Sequence, residues 1–102
     1  MVNNKEKLLS LIIANGERIR AYGVKAIGLF GSFVRNEQNE ESDVDLIVEF
    51  EEDKKTYKNF IGLAYYLEDI LGRKVELLTP ESLSPYIGPH IMKEVEYVAI
   101  AS

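Results

Sequence analysis

The sequence predicts an α/β (α+β) fold, a sheet with helices packed against it. Three short apolar runs, at residues 25–30, 43–50 and 74–79, have the length of strands and are bounded by glycine, proline or polar clusters. Two longer segments, 4–22 and 56–71, repeat apolar side chains at helical spacing. Helices that alternate with strands bury their apolar stripes against a sheet. At 102 residues the chain has the size of one compact domain, spanning 1–102.

The first helix is expected over 4–22. Asn3 followed by Glu6 has the form of a capping box, and Leu8, Leu9, Ile12, Ile13 and Ile19 fall to one side. Asn15-Gly16 interrupts the pattern without strand-like alternation around it, which predicts a tolerated helical glycine or a kink. Gly23 closes the segment as a C-terminal glycine does. "KAIGLF" then reads as a buried strand ending at Gly31, "SFVRNE" as a helical turn and "QNEES" as a polar loop. In "DVDLIVEF" the alternation puts Val44, Leu46, Val48 and Phe50 on one face and Asp43, Asp45, Ile47 and Glu49 on the other. The helix over 56–71 carries Tyr57, Phe60, Ile61, Ala64, Leu67 and Leu71 at helical spacing, and Gly72 stops it. "KVELLT" is the third strand, with Glu76 facing away from Val75 and Leu77. A last helix is expected over roughly 86–96, before the apolar tail "YVAIAS".

Composition narrows the function classes. The apolar share is 46% and the charged share 28%, as in an ordinary globular protein. No window approaches the run of about 18 apolar residues that a membrane span requires, and the charged, amphipathic start does not read as a signal peptide. Zero cysteines leave no disulfide framework or thiolate metal site, so a cytoplasmic location is expected. The net charge is −5, and from Glu37 to Asp53 there are nine acids and no base. Such a field opposes direct contact with a nucleic-acid backbone. A bound divalent cation would reverse it locally.

Asp43 and Asp45 stand two apart on a strand and therefore point the same way, within reach of a shared metal site. Hard oxygen ligands suit Mg²⁺, which keeps waters and substrate phosphates in its shell. Two such ions would clamp the attacking and leaving oxygens of a phosphoryl displacement. Glu76, at the matching place on the next strand, can supply a third carboxylate. The complementary half of such a site must hold phosphate. Gly31 lets backbone approach a ligand, Ser32 offers a hydroxyl and an amide at the start of a turn, and Arg35 adds a charged fork.

Gly31-Ser32, ten intervening residues and Asp43-Val44-Asp45 resemble the signature of the polymerase-β-like nucleotidyltransferase superfamily. The flanks "LFGSFVRNE", "SDVDLIVEF" and "KVELLTPESL" are similar to its minimal members, the MntA-type antitoxins paired with HEPN toxins, and the resemblance runs from Ile19 to Val98. It implies a small mixed β-sheet flanked by helices, and transfer of AMP from ATP to a tyrosine hydroxyl of the partner toxin. It further implies that Gly31 and Ser32 bind the triphosphate, that Asp43 and Asp45 ligate two Mg²⁺ ions, and that Glu76 takes the third carboxylate's place. The family usually has Asp where Glu76 stands, so the ligand reaches one methylene further. It usually has Gly after the arginine, where this chain has Asn36.

Each of these residues also has a plainer reading. A DxD alone is a common solvated strand entrance, Ser32 is a competent helix cap, and Arg35 can pair with Glu37 or Glu40 for roughly 0–1 kcal/mol. Gly28-x-x-Gly31 lacks the dinucleotide fingerprint and no P-loop lysine follows it. His90, the only histidine, reads as a surface residue of the last helix. Tyr65 and Tyr66, adjacent on a helix, cannot both face the core, so one is a candidate partner contact. Two other functions fit the same residues. One is an antitoxin that masks its toxin by binding alone; the other is nucleotidyl transfer to a small molecule.

Overall fold

The N-terminal periodicity folds into two helices, α1 (Lys5–Ala14) and α2 (Gly16–Arg20). The computed structural model describes residues 2–100; Ala101 and Ser102, the end of the predicted apolar tail, lie outside them. Asn4, one residue later than predicted, caps α1: its Oδ1 accepts the Lys7 amide at 2.8 Å. Glu6 then stands too early in the first turn to complete a capping box. The break falls at Asn15, whose side-chain amide donates to the Leu11 carbonyl at 2.8 Å and so competes with the main chain for helical partners. Leu8, Ile12 and Ile19 still reach the core, while Ile13 is left half exposed.

Four strands form one mixed sheet in the order β3-β2-β1-β4. β1 (Val24–Phe30) runs antiparallel to both β2 (Val44–Phe50) and β4 (Glu96–Val98), and β2 runs parallel to β3 (Val75–Leu78). A parallel pair needs a long crossover, and α3 (Tyr57–Leu71) provides it. The Thr56 hydroxyl caps α3 by accepting the Asn59 amide, and Gly72 ends it in the left-handed region at φ +68°. The buried stripe of α3 is Leu63, Leu67 and Leu71. Leu63 therefore takes the place the spacing argument gave to Tyr57, which opens the first turn of α3 and is 80% exposed.

Helices cover one face of the sheet. Val44, Leu46 and Val48 of β2 join Ile27 and Leu29 of β1 and the α1 and α3 stripes in a single apolar core. The last helix is shorter than the sequence suggests: α4 covers Gly88–Glu94, and Glu96–Val98 leaves it to pair with β1. The free edge of β1 provides that partner. Three residues are too few to show a strand period, which is why β4 escapes sequence reading.

Candidate active site

The strand registers align the predicted site residues. Phe30 of β1 pairs with Asp45 of β2, and Asp45 pairs with Glu76 of β3, so these three side chains form a row on the face opposite the core. Asp43 precedes β2 and is exposed. Burial raises the Asp45 carboxyl to about 6, and the neighbouring Glu76 carboxylate, within hydrogen-bonding reach, and the Asp43 charge push the same way; Arg35 opposes them. Two acids directly opposite on neighbouring strands repel unless something positive stands between them.

Gly31 ends β1 with φ +77° and opens a 3₁₀ turn, Gly31–Phe33, whose Val34 amide closes back onto the Gly31 carbonyl. Its Cα lies so close to the Asp45 carboxylate that a side chain at this position would overlap it. The Ser32 and Phe33 amides, at the start of the turn, have no hydrogen-bond partner among the described residues. Asn36 has φ +57°, a conformation that glycine adopts freely and asparagine tolerates, which accounts for the exchange at this position.

Arg35 is held by two carboxylates. Its Nε donates to Glu37 Oε1 at 2.8 Å, as predicted, and its Nη1 donates to both oxygens of Glu94, at 3.0 and 2.9 Å, rather than to Glu40. These contacts, the Glu37 hydrogen bond first, raise the guanidinium pKa further. Glu94 is a residue the sequence reading missed. It lies 63 positions from Gly31 and yet accepts the Gly31 amide at 2.9 Å. Burial pushes its carboxyl up, but the Gly31 amide and Arg35 outweigh that and hold it below the usual range.

Arg73 is the second residue missed. It is 7% exposed, and its Nη1 donates to the carbonyls of Asn39, Glu40 and Ser42 while its Nε donates to that of Val2. Its guanidinium also lies 5.2 Å from the centre of the Phe33 ring. Arg73 thus fastens the loop between the glycine–serine turn and Asp43. An arginine following a helix-ending glycine gives no sequence signal for this role.

The profile of the nucleotidyltransferase domain family matches residues 13–98. The chain belongs to that family. This nucleotidyltransferase is 44% identical over 94 residues to the protein adenylyltransferase MntA of Thermococcus cleftensis, covering 91% of this chain and 94% of the relative. Its fold matches a solved structure described as a candidate minimal nucleotidyltransferase, with TM-score 0.80 and 30% identity over 92% of this chain and 95% of the other. It also matches a chain from the structure of a tri-AMPylated Shewanella oneidensis HEPN toxin in complex with MNT antitoxin, with TM-score 0.64. At 20% identity, over 95% of this chain and 73% of the other, that likeness concerns the fold.

The donors here are hard oxygens: the Asp45 and Glu76 carboxylates stand opposite each other on neighbouring strands, with exposed Asp43 just before β2. Such a set fits a divalent cation whose shell is completed by water and phosphate. Among the described residues no three His, Cys, Asp or Glu side chains are gathered tightly enough to cage a metal by themselves. No helix among them is long and apolar enough to cross a membrane.

Proposed function

We propose that this chain transfers AMP from ATP to a tyrosine hydroxyl of a HEPN-type toxin and thereby acts as an antitoxin in the cytoplasm. The observation that carries this reading is the packing of Gly31 against Asp45, which sets a turn with the unpaired Ser32 amide beside a row of carboxylates. The activity of the Thermococcus relative supports the chemistry, and the fold shared with a chain of a toxin–antitoxin complex supports the partner.

In this mechanism the Ser32 hydroxyl and amide hold phosphate oxygens, and Arg35 adds positive charge beside them. Asp43 and Asp45 would hold Mg²⁺, with Glu76 in reach, and the cation would supply neutralisation of the phosphate charge. The acceptor oxygen attacks the α-phosphorus, the bond to the β-phosphate oxygen breaks, and pyrophosphate leaves. Glu76 takes the hydroxyl proton as the new P–O bond forms. The acidic stretch from Glu37 to Asp53 suits an acceptor delivered by another protein, because the charge keeps nucleic acid away.

Incubation with labelled ATP, Mg²⁺ and the co-encoded partner tests the proposal. Label should pass to a partner tyrosine, and Asp43→Asn with Asp45→Asn should abolish it while the fold persists. Undiminished labelling by the folded double variant would remove the site assignment. The masking reading draws on Glu76, which stands where the family usually has Asp, and on the acidic stretch from Glu37 to Asp53. It becomes the better account if the double variant protects cells as fully as the unaltered chain.

A further inference from the structure

We infer that Glu94 is the positioning residue of the glycine–serine turn, fixing both the Gly31 amide and the Arg35 guanidinium for the triphosphate. The inference rests on the proposed nucleotidyl transfer and adds to it a residue outside the signature.

The need for such a residue follows from the end of β1. Pairing with β2 stops at Phe30–Asp45, so the next amide, on buried Gly31, has no strand partner. An N–H group with no partner in a buried place is costly and would be free to turn. Glu94 Oε1 takes it at 2.9 Å, and the same oxygen accepts Arg35 Nη1 at 3.0 Å. The second oxygen accepts Nη1 at 2.9 Å. One carboxylate therefore joins the first residue of the turn to the cation that follows it. The Gly31 amide is directed to Glu94, which leaves the amide of half-buried Ser32 as the one open to a ligand.

The location of Glu94 is poorly explained by the needs of its own helix. It is the last residue of α4, where the helix dipole disfavours an acid. It is anchored instead from outside: two residues on, Glu96 enters β4 and pairs with Leu29 of β1. Pairing of β4 with β1 thus sets the carboxylate over the end of the strand that carries the turn. The adjoining Val95 occupies the space that the absent side chain of Gly28 leaves open.

The test compares the unaltered chain with Glu94→Gln and Glu94→Ala, each shown to be folded by circular dichroism. Three measurements are made: steady-state transfer to the partner, calorimetric binding of a non-hydrolysable ATP analogue with Mg²⁺, and the amide spectrum of ¹⁵N-labelled protein. A lost charge-assisted contact pair should raise KM for ATP and the analogue's Kd about tenfold in Glu94→Ala, with kcat changed less than about threefold. Glu94→Gln, which keeps an acceptor for Gly31 but not the charge for Arg35, should fall between. The Gly31 amide proton should move upfield in Glu94→Ala. An unchanged KM and Kd in folded variants, or loss of fold in both, leaves Glu94 a structural role only and overturns the inference. A lowered KM also overturns it, because Glu94 would then be competing with phosphate. If the unaltered chain neither transfers AMP nor binds the analogue, the functional reading fails and the inference with it. Analogue binding by the unaltered chain that the variants share separates the two failures.

Discussion

A β-carbon built on Gly31 would stand 2.1 Å from Asp45 Oδ2 and 2.8 Å from its Cγ. Gly31 and Asp45, the two ends of the signature, are therefore packed against each other although 14 positions separate them in the chain, and residue 31 also has a backbone that favours glycine.

Gly31→Ala should fail on both counts. The left-handed backbone alone costs roughly 1–2 kcal/mol for a residue with a side chain, and the Asp45 carboxylate must rotate away. We expect a loss of about 2 kcal/mol in urea unfolding and a fall in AMP transfer of at least about a hundredfold. Near-normal transfer in this variant would show that Asp45 need not be held against the turn.

Asp45 also predicts a pH dependence. Its folded carboxyl lies at about 6, above the ordinary aspartate value. Between about pH 4 and 6 the folded state therefore holds more protons than the unfolded one, and stability falls as pH rises through that window. A two-unit shift corresponds to about 3 kcal/mol, which partial exposure and screening reduce to about 1 kcal/mol. In metal-free buffer, Asp45→Asn should be more stable than the unaltered chain by that amount at pH 7.5 and should lack this component of the fall. Urea unfolding at pH 4.5 and 7.5 in the presence of a chelator measures both. Identical pH slopes for the two proteins would remove Asp45 as the strained group.

Arg73→Met should release the loop that carries Asp43. The substitution keeps apolar bulk beside Phe33 and abandons four carbonyl acceptors. The expected destabilisation is about 3 kcal/mol, with faster amide exchange confined at first to residues 39–43. Arg73→Lys, which keeps the charge without the planar fork, should recover only part of the loss. Exchange unchanged at 39–43 in Arg73→Met would show that the loop is held by other means.

By itself the sequence determined the strands at β1, β2 and β3, the helix α3 with its glycine stop, and the row that Asp45 and Glu76 share. These follow from chemistry local to each segment: alternation over seven residues in β2 decides which face buries, and Gly72 can end a helix wherever it stands. The Gly-Ser and Asp-x-Asp elements were legible for the same reason, since fixed residue types at fixed spacing carry their chemistry in the chain. Tertiary structure alone decided the rest. The break at Asn15 depends on its side chain competing for the Leu11 carbonyl, and the choice of Leu63 over Tyr57 depends on which turns of α3 meet the core. β4 exists because β1 has an edge to fill. Glu94 meets Gly31 across 63 residues, and Arg73 reaches Asn39, Glu40 and Ser42 across more than 30. No pattern in the chain marks an acid or an arginine for such work. Apart from the Arg35 side chain, their hydrogen-bond partners are backbone groups, which every residue carries, and only the folded path brings those groups together.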